Sequence, residues 1–211
     1  DAFGIKHARL FTTDGKKLAD NAFVRAINFS DIYLQRSASV AFACLLTATD
    51  GNIQALINWI NSKLVSTSNG VWDMALPALG MLARGQNARP QLLKGGVVQH
   101  IVNILNRIGV NGNPQHIYEL IFILWTLSLG ETDLTVFLSS GAIPLIVDFL
   151  AAAPSRKVTR MIIGTLRNLA TTEDSKVISE MLTAGLMRLL ENISGSNALK
   201  QVADIDVEND F

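Results

Sequence analysis

Cysteine is nearly missing from this sequence: Cys44, in the run VAFACLL, is the only one in 211 residues. That excludes an internal disulfide and any cysteine metal cluster, fits a reducing compartment, and with its apolar neighbours predicts a small buried side chain. Histidine is almost as scarce. His7, His100 and His116 share no ligand spacing such as i, i+4, so neither a metal nor a cofactor site is expected. An excess of one charge is also lacking: 18 basic residues balance 18 acidic ones, which removes the general attraction to phosphate that nucleic-acid binders use. The most apolar stretch, IYELIFILWTLSLG from Ile117 to Gly130, contains Glu119 and falls short of the roughly 20 residues a membrane span needs. It reads as a buried helix.

Catalytic signatures fail in the same way. TTDGKKL, from Thr12 to Leu18, has a Gly-Lys pair but lacks the earlier glycine of a phosphate-binding loop, and Lys17 stands where Ser or Thr should hold magnesium. It reads as a turn. There is no Gly-x-Ser-x-Gly elbow, and the lone thiol has no plausible base nearby. Carboxylates pair up only in connections (Glu131 with Asp133, Glu173 with Asp174) and in the final group Asp204, Asp206, Glu208 and Asp210, where such charges serve solubility and helix capping. The chain is therefore read as a non-enzyme. It opens DAFGIKHARL, without an initiator Met or a signal pattern, and ends IDVENDF without a helix-closing signal, so a piece of a longer protein is expected.

What the sequence does have is a large apolar content, 49% hydrophobic residues, and an internal period. LLKGGVVQHIVNIL (Leu92 to Leu105) aligns without gaps on FLSSGAIPLIVDFL (Phe137 to Leu150), and MLTAGLMRLLENI (Met181 to Ile193) repeats the pattern. Gly96, Gly141 and Gly185 occupy one slot, each after a short apolar helix and before another, where a helix must end or the chain must bend sharply. Upstream of each lies a longer helical segment: WDMALPALGMLARG, IYELIFILWTLSLG and KVTRMIIGTLRNLA. The i, i+3, i+4, i+7 spacing prevails wherever segments are long, as in Val158, Met161, Ile162, Thr165, Leu166 and Leu169. A period in the forties with two or three helices per unit predicts an all-α, right-handed solenoid of the armadillo or HEAT kind, in which each unit covers the apolar face of its neighbour. Residues 37–211 are assigned to about four such units. Ser37 to Leu64 forms a helix pair broken at Asp50-Gly51, and residues 1–36 are an N-terminal helical segment that aligns to no repeat.

In such an array the longest helix of each unit presents its outward stripe for binding. Lys157, Arg160, Gly164 and Arg167 recur at i, i+3, i+7 and i+10, opposite the apolar face. One unit earlier, Tyr118, Phe122 and Trp125 take the places of Arg160, Gly164 and Arg167, and one unit before that come Asp73, Pro77 and Gly80. A groove is thus expected that passes from small residues to an aromatic strip to an arginine strip, suited to an acidic, aromatic peptide or helix. The competing reading places Trp125 and Phe122 in the core and leaves the arginines merely solvated.

The words GTLRNLA and SSGAIPLIVDFL resemble armadillo repeats in general. More narrowly, YELIFILWTLSL followed by FLSSGAIPLIVDFLAAAPSRKVTRMIIGTLRNL resembles the H subunit of the V-type proton ATPase, and LQRSASVAFACLLTATDGNIQALINWI falls in the order that family shows. The resemblance implies the large N-terminal helical domain of that family, without its smaller C-terminal domain. It implies a non-catalytic regulatory component that bridges the soluble sector and the peripheral stalk and couples ATP hydrolysis to proton transport. The implied partners are the E and G stalk subunits and the a subunit of the membrane sector. The implied location is cytoplasmic, at the periphery of vacuolar or endosomal membranes. The alternative function is that of an armadillo-repeat peptide-binding adaptor in trafficking or signalling. An importin-α-like ladder for basic peptides fits poorly, because Trp125 has Leu129 rather than Asn four residues on.

Overall fold

The computed structural model describes residues 13–48, 53–130, 132–152 and 155–195. Every regular element among these is an α-helix. In chain order they are α1 (Thr13–Ile27), α2 (Ile32–Ala48), α3 (Gln54–Leu64), α4 (Asn69–Arg84), α5 (Arg89–Lys94) and α6 (Val97–Ile108). These are followed by α7 (Pro114–Leu127), α8 (Leu134–Ser139), α9 (Ala142–Ala152), α10 (Arg156–Ala170), α11 (Ser175–Thr183) and α12 (Leu186–Gly195).

Local signals set many of the helix starts. Asn113 accepts a hydrogen bond from the Gln115 backbone N–H ahead of Pro114, and the Ser155 hydroxyl caps Val158 N–H. Asp133 and Asp174 accept from Thr135 and from Lys176 and Val177, so these connection carboxylates act as helix caps. The repeated glycines have φ of 75°, 70° and 82° at Gly96, Gly141 and Gly185. Each separates a short helix from the next one in the left-handed conformation that an L side chain would strain. The sequence reading of this slot is therefore correct at all three positions.

Packing follows the period. The long helices stack in the order α2, α4, α7, α10, while α3, α6 and α9 form a second layer behind them. Between the layers lies one continuous core that includes Phe42, Trp72, Phe137 and Phe149, all fully buried. This is a helical-repeat solenoid, as the period predicts.

TTDGKKL is not the expected turn: from Thr13 onward it is the start of α1. The run continues into Ala19, Phe23, Val24 and Ile27, which pack on the core, Phe23 stacking on Phe42 at 5.4 Å between centroids. That helical periodicity outweighs one internal glycine, which costs a helix only about 1 kcal/mol. Cys44 is half-buried rather than buried, because Phe42, Ala43, Leu45 and Leu46 take the inward positions of α2. His7, Asp50-Gly51, Glu131 and the carboxylates from Asp204 to Asp210 lie outside the described residues.

Candidate functional site

The candidate surface is the side of the long-helix layer turned away from the core. On α10, Val158, Ile162, Thr165, Leu166 and Leu169 are buried and Met161 is half-buried. Lys157, Arg160 and Arg167 are exposed. The amphipathic reading of this helix thus describes it well. Among the described residues, none of these three cations has a carboxylate within ion-pair distance.

On α7 nearly every face is apolar, with Ile117, Leu120, Ile121, Ile123, Leu124 and Leu127 buried. Tyr118, Phe122 and Trp125 are only half-buried. They form a row, with centroids 6.4 Å apart for Tyr118 and Phe122 and 5.9 Å apart for Phe122 and Trp125. Tyr118 and Phe122 lean on the core with one side, so the row is an edge of the core that also faces outward. Trp125 joins this row to the arginine stripe: its indole lies against Gly164, the residue between Arg160 and Arg167.

A groove of ≈310 Å³ runs between α4 and α7 on this face. Pro77, Gly80, Met81 and Arg84 form one wall; Gln115, Tyr118, Glu119 and Phe122 form the other. Pro77 and Gly80 are the small residues expected there. Sequence reasoning missed Arg84, whose guanidinium sits over the Phe122 ring at 5.2 Å from the centroid. Its position seven residues after Pro77 puts it on the same stripe as Pro77 and Gly80, so the signal was present. Glu119 was also missed; its Oε1 accepts a 2.6 Å hydrogen bond from Gln115 Nε2.

A few further polar contacts hold neighbouring units together. Asp73 sits 2.7 Å from Nε2 of the buried His116, tying α4 to α7. Arg89 donates to the carbonyls of Ala83 and Arg84, in the last turn of α4, and to that of Leu129 just past α7, and so links the C-terminal end of one long helix to the connection after the next. Burial lowers the Arg89 pKa from its ordinary value without a carboxylate nearby among the described residues. Asn168 donates to the Ser128 hydroxyl at 3.0 Å, so the asparagine of the Arg-Asn-Leu run binds the preceding unit. His100, half-buried on α6, has its pKa lowered by desolvation.

Comparison with known proteins adds an identity to this geometry. The family profile for the H subunit of the V-ATPase matches residues 7–211. The H subunit of the V-type proton ATPase from Dictyostelium discoideum is 25% identical over 208 residues, covering 97% of this chain and 45% of that protein. Its Drosophila melanogaster counterpart is 26% identical over 164 residues, covering 75% and 34%. The chain spans less than half the length of these curated relatives. Among solved structures, a designed armadillo repeat protein matches with a TM-score of 0.66 at 20% identity, over 87% of this chain and 76% of that one. A second, in complex with the peptide (KR)4, matches at 0.67 and 19%, over 85% and 75%. At these identities the structural matches show the armadillo-type fold alone.

Proposed function

This chain belongs to the family of V-ATPase H subunits, and on that premise we propose that it is a non-catalytic scaffold and regulatory element of the proton pump. Its long-helix face holds the peripheral stalk, built from the E and G subunits, while the complex also brings it against the a subunit of the membrane sector. By fixing these elements relative to the soluble sector it helps couple ATP hydrolysis to proton transport. It works on the cytoplasmic side of vacuolar or endosomal membranes, attached through the complex. No helix among the described residues is long and apolar enough to cross a membrane.

The observation that carries the reading is the half-buried row Tyr118, Phe122 and Trp125 flanked by Lys157, Arg160 and Arg167, cations without a carboxylate partner among the described residues. Forked guanidiniums beside aromatic rings are what anchor interfaces most strongly. The armadillo neighbour bound to (KR)4 takes a basic peptide; on this chain the arginines would repel one and favour an acidic segment. A peptide-binding adaptor for trafficking or signalling is the second reading, favoured by the groove between α4 and α7. Affinity capture of the chain from cell extract, with identification of what co-purifies, separates the two. Recovery of other pump components supports the first reading, and their consistent absence would remove it.

A further inference from the structure

We propose that the notch between α4 and α7 receives one apolar side chain of an acidic partner segment, with Arg84 taking the carboxylate that follows it. This rests on the long-helix face being a docking surface, and it adds a specificity element that the arginine stripe of α10 does not supply.

The notch exists because of two residues. At the outward positions where α7 carries Phe122 and Trp125, α4 carries Pro77 and Gly80, and a Cβ built on Gly80 meets nothing within 4 Å. Both residues are expensive inside a helix. Pro77 withholds the N–H that would close on the Asp73 carbonyl, and Gly80 adds backbone entropy. A helix that only had to pack would gain by filling this space. At ≈310 Å³ the space lies at the lower limit of small-ligand pockets, about 300–1,000 Å³, and it is walled mainly by carbon. It suits a leucine- or phenylalanine-sized side chain.

The charges at its two ends fix what surrounds that side chain. Towards the N-terminal half of α7, the Glu119 carboxylate is engaged by Gln115. At the C-terminal end of α4, the exposed Arg84 holds its guanidinium over the Phe122 ring and has no carboxylate partner among the described residues. Beyond the aromatic row, Arg160 and Arg167 extend the same sign. A guanidinium held on an aromatic face keeps its N–H edge for a planar acceptor, and a carboxylate supplies one. The occupant is therefore an apolar residue next to an acidic one, within a segment acidic enough to continue onto α10.

Two short synthetic peptides test this by fluorescence anisotropy with the purified chain. They share one Phe and two Leu positions, and carry either Glu or Lys elsewhere. The Glu peptide should bind, more weakly as salt rises, and the Lys peptide should not. Gly80→Leu, which fills the notch from a position with open space around its Cβ, should weaken binding by roughly tenfold or more, and Arg84→Gln by a similar factor. Replacing the peptide's Phe and Leu with Ala should do the same. Circular dichroism melting confirms that each variant folds; Arg84→Gln, at an exposed site, serves if Gly80→Leu does not. Equal binding of Glu and Lys peptides, no binding of the Glu peptide, or unchanged affinity in the folded variants would overturn the proposal. Capture of pump components could still succeed in that case, because it reads the whole face and not this notch.

Discussion

Trp125 rests directly on Gly164. A Cβ at residue 164 would lie 2.9 Å from the indole Nε1 and 3.1 Å from Cδ1, closer than side chains tolerate. The glycine in the middle of α10 is therefore the seat of an aromatic side chain from the preceding unit. Gly80, one position along the same stripe two units earlier, has no such neighbour.

This contrast predicts opposite effects from the same substitution. Gly80→Ala should stabilise the fold by about 0.5–1 kcal/mol through helix propensity alone. Gly164→Ala gains the same propensity but forces the Trp125 ring aside, an overpacking cost of roughly 1–3 kcal/mol, so the net change should be destabilising. Urea denaturation followed by far-ultraviolet circular dichroism reads both. Equal stabilisation by the two substitutions would mean that the indole does not hold its place.

Arg89 should matter more than its place on a short helix suggests. It donates to two carbonyls in the last turn of α4 and to the Leu129 carbonyl just past the end of α7, so Arg89→Ala leaves acceptors of two successive units without their donor. A loss of about 1–3 kcal/mol is expected. Arg89→Lys should recover little of it, because one ammonium cannot reproduce the fork. Thermal melts of the three proteins check this, with full recovery in the lysine variant as the contrary result.

Stability should decline on mild acidification through His100. Burial lowers its pKa below the ordinary 6.5, so as pH falls past that value the unfolded chain takes up the proton before the folded one does. Folding stability is then lost from about pH 6.5 downward until the folded histidine also protonates. His100→Gln should flatten that part of the stability-versus-pH curve; an unchanged slope would assign the dependence elsewhere.

Much of the fold was legible because its signals are periodic. The glycine slot at Gly96, Gly141 and Gly185 and the apolar face of α10 depend only on local conformation and helical spacing, which a sequence displays directly. The contacts between units were not legible in that way. Asn168 reaching Ser128, Asp73 reaching His116 and Trp125 reaching Gly164 each join residues about forty positions apart, and the angle between helices decides them. For the same reason the sequence, which leaned towards the core for Trp125, left it open between core and surface, whereas the structure sets it at the boundary. Arg84 was overlooked although its register was readable, because no local pattern shows that its long side chain lies over the Phe122 ring of the next unit.

The central claim, that the aromatic and arginine strips together hold the peripheral stalk, is tested most directly by titrating the chain and its Arg160→Ala/Arg167→Ala variant with a reconstituted heterodimer of the E and G subunits by calorimetry. Binding of the parent chain that weakens with salt, and a loss of roughly tenfold or more in affinity for the variant, is the predicted result. Equal affinity of the two proteins, with both folded, would contradict it.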